Sequence, residues 1–180
     1  MTPVPVSDGL SELIRSRVRD VPRFPQEGVT FRDITPLLSD GTAFSAVIGH
    51  LADVFSGAVD AVAGIEARGF LLAAPLASVL GCSLVTVRKA GKLPPPVHTQ
   101  EYRLEYGSAT IEIPADVIRP GARVAVLDDV LATGGTAAAA CALLERAGAT
   151  ITGLGFLLEL GDLQGRSRLP GRDLHALVTY

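Results

Sequence analysis

The 180-residue chain has no tryptophan, one methionine, two cysteines and only 5% aromatic residues. It also lacks a basic excess and a long apolar run. Cys82 and Cys141 stand singly in apolar surroundings with no metal-ligand spacing, so they read as reduced core residues of an intracellular protein. No apolar stretch approaches the ~20 residues needed to span a bilayer. The start, Met1-Thr-Pro-Val-Pro-Val, has neither the basic nor the apolar region of a signal peptide. Lys and Arg number 16 against 19 Asp and Glu, and the net charge of −3 argues against general nucleic-acid binding while leaving room for a local basic pocket. No internal repeat or low-complexity tract is present. These absences point to one soluble, cytoplasmic domain.

What is present is 48% hydrophobic residues, rich in Ala, Val, Leu and Gly, a composition that suits a parallel sheet covered by helices. The chain is long enough to bury a full core. Residues 123–136, Arg-Val-Ala-Val-Leu-Asp-Asp-Val-Leu-Ala-Thr-Gly-Gly-Thr, organise the rest. Val124 to Leu127 read as a strand buried on both faces, and Asp128 and Asp129 follow where it should surface at its C-terminal end. Val130, Leu131 and Ala132 lead into Thr133-Gly134-Gly135-Thr136, which opens a helix over 137–147. Two glycines let backbone N–H groups approach a ligand, and a helix N-terminus favours an anion. The threonines add hydroxyl donors, and paired carboxylates suit vicinal hydroxyls. Phosphate on one side and a diol on the other describe a ribose 5-phosphate. The turn is neither a P-loop nor a dinucleotide fingerprint, since both glycine spacings are missing.

In chain order, Ser7 caps a helix through Leu10, Leu13, Ile14 and Val18 that ends before Pro22. Residues 24–38 read as irregular but carry Phe24, Phe31, Ile34 and Leu37, so the segment is either a packed N-terminal extension or a hood over a flat apolar ligand. A helix spans 42–55, a strand 59–65 and a helix 71–80, with Pro75 expected near the first turn or at a kink. Arg68, at a strand end beside Gly69, is a second anion candidate. After the strand 83–87, Arg88, Lys89 and Lys92 face the same sheet edge as Asp128 and Arg68, which favours phosphate binding over a merely solvated run. Residues 94–108 read as a long, functional loop with Glu101 and Glu105 as equivalent acids. Strands follow at 109–113, 151–158 and 174–178, Gly148 caps the Ala-rich helix, and nothing in 161–180 suggests chemistry.

The Asp128-Asp129 pair ahead of Ala132-Thr133-Gly134-Gly135-Thr136 resembles the phosphoribosyl pyrophosphate (PRPP) loop of the type I phosphoribosyltransferases. Phe24-Pro25 through Leu38, with Gly28, Phe31-Arg32-Asp33-Ile34 and Pro36 in place, is similar to the hood of the adenine phosphoribosyltransferases. Gly64-Ile65-Glu66-Ala67-Arg68-Gly69-Phe70, Arg88-Lys89-Ala90-Gly91-Lys92-Leu93-Pro94 and Leu104-Glu105-Tyr106-Gly107 resemble that family's remaining motifs, in its order. The resemblance covers nearly the whole chain. It implies a Rossmann-like type I phosphoribosyltransferase fold, a central parallel sheet flanked by helices with a small N-terminal hood. Residues 1–180 would form a single domain, with the hood within about 1–40 and the core over about 41–180, including a flexible loop at 94–108.

The implied reaction joins adenine to PRPP and releases AMP and pyrophosphate, with Mg²⁺ carried mainly by PRPP and water rather than by a protein site. The resemblance gives the ribose hydroxyls to Asp128 and Asp129 and the 5-phosphate to residues 132–136, and it counts Val130 among the substrate-binding residues. It gives the pyrophosphate to Arg68, Arg88, Lys89 and Lys92. Main-chain groups of Thr30 and Arg32 with the Phe31 ring would read the base, and Glu105 would manage its proton under the cover of Tyr106. A cis peptide near Glu66-Ala67 and a homodimer with Arg88 reaching across it are also implied, with no nucleic acid or membrane partner. Two alternatives remain at this stage: a 6-oxopurine (xanthine or hypoxanthine) phosphoribosyltransferase, and a non-catalytic PRPP-sensing regulator.

Overall fold

The computed structural model describes residues 4–103 and 107–180. The strand expected at 124–127 runs over Arg123–Leu131 (β7) and lies at the centre of the architecture. Its apolar residues alternate between two cores. Ala125 and Leu127 join one, with Val47, Leu51 and Phe55 of α3 (Gly41–Phe55) and Leu72 and Leu76 of α4 (Gly69–Leu80). Val124 and Val126 join the other, with Ala140, Leu143 and Leu144 of α5 (Gly135–Arg146). Each large side chain so buried contributes about 1.5–3 kcal/mol. A strand apolar on both faces therefore holds helices on both sides, and its position in the middle of the sheet follows.

Among the described residues the main sheet has seven strands. They are β3 (Ala61–Ile65), β4 (Ser83–Lys89), β5 (Val97–Arg103), β6 (Ser108–Pro114), β7, β8 (Thr150–Glu159) and β9 (Leu174–Thr179), in the order β5-β6-β4-β3-β7-β8-β9. From β4 to β9 the neighbours are parallel, whereas β6 and β5 add antiparallel at one edge. The chain leaves β3 for β4 on one side and returns as β7 on the other. The C-terminal ends of β3 and β7 therefore flank a crevice of the kind in which open α/β sheets bind ligands. Gly69 closes that crevice from below: a Cβ there would lie 2.6 Å from the Leu127 carbonyl oxygen, so only glycine lets α4 start directly against β7.

The N-terminal helix α1 (Asp8–Arg17) is capped by Ser7, whose hydroxyl accepts from Leu10 N, and is pinned to the core by Ile14. Asp40 caps α3 by accepting from Thr42 N and Ala43 N. Two expectations need correction. The segment over 24–38 is not wholly irregular: β1 (Arg19–Pro22) pairs antiparallel with β2 (Thr30–Asp33), and α2 (Thr35–Ser39) follows. These four-residue strands are held by main-chain bonds and carry little alternation, so their periodicity is weak. The expected long loop at 94–108 contains β5, a polar edge strand that pairs with β6 through its whole length. Pro75 is the seventh residue of α4, beyond the first turn. The Glu66–Ala67 peptide is cis.

Candidate active site

β7 does not end at its carboxylates. Pairing with β8 continues to Leu131 opposite Glu159, which leaves Asp129 only 5% exposed and Asp128 half-buried. Asp128 Oδ1 accepts from Asp129 N at 2.9 Å. Burial, reinforced by the Asp129 charge, pushes the Asp128 carboxyl well above the usual carboxylate range. Burial also raises Asp129, against the opposing pull of Arg68, whose Nε lies 2.8 Å from Asp129 Oδ2. That contact is an ion pair without hydrogen-bond alignment, so the Asp129 oxygen keeps acceptor capacity. Two desolvated carboxylates with unfilled lone pairs are poised to accept from neutral hydroxyls.

Five residues beyond Asp129, Gly134 takes the left-handed conformation (φ 77°) and α5 begins at Gly135 without a side-chain cap. The opening N–H groups of α5 therefore face a cavity of about 70 Å³, lined by Asp128, Val130 and the 131–137 turn, with Phe156 completing the wall. Positive φ is one demand for glycine at Gly134, and the Gly165 carbonyl, which any Cβ there would overlap, is another. Ala132, Thr133, Gly134, Gly135 and Thr136 thus all line one concavity at a helix N-terminus, a shape and polarity suited to phosphate. The Thr136 hydroxyl donates to Tyr102 Oη of β5 at 3.3 Å.

The cationic segment is ordered by two acids. Glu66 Oε2 accepts from Lys89 N at 2.9 Å and lies 3.4 Å from Arg88 Nε, while Arg88 Nη1 donates to Lys92 O at 3.0 Å. Glu112 Oε1 accepts from Lys92 N and Leu93 N, both at 2.9 Å. The backbone of this turn is thereby tied down, and the Lys89 and Lys92 ammonium groups make no hydrogen bond within the described residues.

Arg68 ties the hood to this end of the sheet. Its guanidinium sits 5.0 Å over the Phe31 ring, and Phe24 meets Phe31 edge-on at 5.3 Å. The Arg32 side chain points elsewhere: it pairs with Asp20 and stacks over Tyr180 at 4.2 Å. Thr30 opens β2 and is exposed. Asp33, at the end of β2, is held at about 2 by hydrogen bonds from the Thr35 side chain and backbone and from Arg19, so it serves as a structural clasp for the hood. The structure therefore gathers Arg68, Asp128, Asp129 and Phe31 around one crevice, with the 132–136 turn at one end and the Lys89–Lys92 turn on the neighbouring strand. Glu105 and Tyr106 lie outside the described residues.

Sequence reasoning passed over Tyr102 and Glu112. Glu112 left a signal, a lone acid between Ile111 and Ile113 in a strand that buries both neighbours. Tyr102 left none, because its partner Thr136 is distant in the chain.

A model of the phosphoribosyl transferase domain matches residues 38–169. The chain is 54% identical over 173 residues to an adenine phosphoribosyltransferase of Frankia casuarinae, covering 96% of this chain and 92% of that one. Among solved structures it is similar to the adenine phosphoribosyltransferase of Thermoanaerobacter pseudethanolicus, with a TM-score of 0.91 and 45% identity over 94% of this chain and 99% of that one. The Saccharomyces cerevisiae enzyme, solved with an imino-altritol bisphosphate and adenine, gives a TM-score of 0.89 at 37% identity, covering 95% of this chain and 99% of that one. With its crevice, loop and hood in this arrangement, the chain belongs to the phosphoribosyl transferase domain family and, within it, to the adenine phosphoribosyltransferases.

Proposed function

We propose that the crevice is a divided cradle for transfer of the 5-phosphoribosyl group from PRPP to adenine, giving AMP and pyrophosphate. The observation that carries this assignment of parts is Arg68, which touches Asp129 and Phe31 at once and so unites the ribose corner, the pyrophosphate side and the base hood. Asp128 and Asp129 accept from the ribose hydroxyls, with Val130 beside them, and the 132–136 turn holds the 5-phosphate. Arg68, Arg88, Lys89 and Lys92 receive the pyrophosphate. On arrival of substrate, Arg68 exchanges its Asp129 partner for the departing phosphates, donating through its planar fork.

In the transfer, N9 of adenine bonds to C1′ of the ribose as the C1′–O bond breaks and its electron pair leaves with pyrophosphate. Positioned cations stabilise that developing charge. The N9 proton passes to Glu105 and Tyr106 screens the site, roles that rest on the matching Leu104–Gly107 motif. Main-chain groups of Thr30 and Arg32 read the 6-amino group and N1, and a 6-oxopurine would leave them unpaired at about 1–3 kcal/mol each.

Mg²⁺ would be held by PRPP oxygens and water and would offset part of the phosphate charge. Among the described residues no three His, Cys, Asp or Glu side chains converge, and a hard cation held by substrate oxygens and water requires no such cluster. A homodimer accords with α4 and β4: residues 69–87 carry no charge, yet Leu71 is 45%, Val79 63% and Leu84 43% exposed. Free Cys82 and Cys141 accord with a reducing cytoplasm, and among the described residues no helix is long and apolar enough to cross a membrane.

Pyrophosphate release with PRPP and Mg²⁺, run in parallel against adenine, hypoxanthine, guanine and xanthine, tests this reading. Release with adenine alone is expected. Release only with a 6-oxopurine would overturn the base assignment, and binding of PRPP without release for any base would overturn the catalytic one.

A further inference from the structure

The 5-phosphate cradle lacks a cation of its own. Residues 130–140 include no Lys, Arg or His, so the turn offers only backbone N–H groups and hydroxyls, with Asp128 and Asp129 close by. A dianionic phosphate in that place is stabilised by a helix N-terminus but opposed by two carboxylates. A cation lies near the turn on a segment that bears no motif. The 3-10 turn Gly165–Arg168 follows β8 and packs under the cradle.

This turn is fixed at three points. Gly165 meets the Gly134 and Ala132 backbone so closely that a Cβ on either Gly134 or Gly165 would overlap its neighbour. Arg166 grips the nearly buried Glu159 through Nε at 2.7 and 2.9 Å and Nη2 at 2.8 Å. Leu169, 4% exposed, returns the chain to the core. Arg168 lies between the last two anchors. Its Nη1 is 3.3 Å from the position that a Cβ on Gly135 would take, at the first residue of α5, where the Thr133 hydroxyl also approaches at 3.9 Å. Arg166 is fully engaged, whereas Arg168 makes no hydrogen bond or ion pair with any described residue. A free guanidinium held at the rim of an anion cradle is arranged for a ligand rather than for the fold.

We propose that Arg168 is a binding residue for the 5-phosphate of PRPP and AMP, supplying the positive charge that the 132–136 turn lacks. The proposal rests on the reading that this turn holds the 5-phosphate, and it predicts a selective effect. Arg168 acts on ligands that carry the 5-phosphate and not on pyrophosphate, which binds beside Arg68 and Lys92.

Isothermal titration of ribose 5-phosphate, AMP and pyrophosphate into wild type, Arg168→Ala, Arg168→Lys and Thr136→Ala separates the possibilities. Arg168→Ala should weaken ribose 5-phosphate and AMP about tenfold, as expected for loss of a charged hydrogen bond at a solvent-facing rim. Pyrophosphate affinity should be unchanged, Arg168→Lys should recover part of the loss, and the salt dependence of ribose 5-phosphate binding should become shallower in Arg168→Ala. Unchanged affinity in Arg168→Ala with a loss in Thr136→Ala would overturn the proposal and leave the cradle intact. No change in either variant would overturn the cradle as well. Equal weakening of all three ligands together with a lowered Tm would mean that Arg168 only supports the fold.

Discussion

Glu112 and Asp128 are both carboxylates on strands of one sheet, each accepting from backbone N–H groups, and their surroundings push them in opposite directions. For Glu112 burial is the largest influence and would raise it, but bonds from the backbone of Leu93, Gly91 and Lys92 together outweigh burial and hold it below the usual carboxylate range. Asp128 has one such bond, from Asp129 N, against burial and a neighbouring negative charge, and it rises. A carboxylate kept for architecture is saturated by its own protein. One kept for a ligand is left short of partners, at a cost in stability until the ligand arrives. Arg68 belongs with the second kind in the proposed reading, where the ribose hydroxyls compete for its ion-pair partner Asp129.

The contrast can be broken at three positions. Arg68→Ala should have the largest effect: removing both the pyrophosphate donor and the Asp129 counter-charge is expected to lower kcat/KM for PRPP by about 10²–10³. A value within about twofold of wild type would remove Arg68 from the mechanism. Asp128→Asn comes next. The amide oxygen can still accept from Asp129 N, but it hydrogen-bonds ribose hydroxyls less strongly than a carboxylate does, so kcat/KM for PRPP should fall about tenfold or more. The ligand-free protein should nevertheless melt at a higher temperature, since a strained charge has been removed. Glu112→Ala should do the reverse. Leaving the Lys92 and Leu93 N–H groups without their acceptor is expected to lower Tm by about 3–8 °C. The accompanying loss of activity should fall on pyrophosphate affinity, measured in the reverse reaction, and leave the KM for adenine unchanged.

Legibility in the sequence followed the range of the contacts. Residues 123–136 declared a strand, an acid pair and a glycine turn ahead of a helix because these groups are neighbours in the chain and their apolar pattern has one reading. The strands over 19–22 and 30–33 are too short, and the edge strand 97–103 too polar, for main-chain pairing to show as an apolar pattern in the sequence. At the site, Arg68 was visible at a strand end. Its ion pair with Asp129 and its place over Phe31 were not, since they join three segments far apart in sequence. Tyr102 and Arg168 approach the phosphate turn in the same manner, from a strand and a 3-10 turn that carry no motif.

The comparison of the two carboxylates meets its most direct test in the melting temperatures of wild type and Asp128→Asn, ligand-free, from pH 8 down to about pH 4. With its value raised in the folded state above the ordinary 3.8, Asp128 holds a proton in the folded chain that the unfolded chain has released, in the window between those two values. Wild-type stability from this group is therefore present below 3.8 and is lost as pH rises through the raised value. The variant should be more stable than wild type at pH 8, with an advantage that shrinks as the pH falls through this window. A variant that melts below wild type at pH 8, or a difference that does not change with pH, would contradict the claim that the Asp128 carboxyl is left short of partners at the expense of the fold.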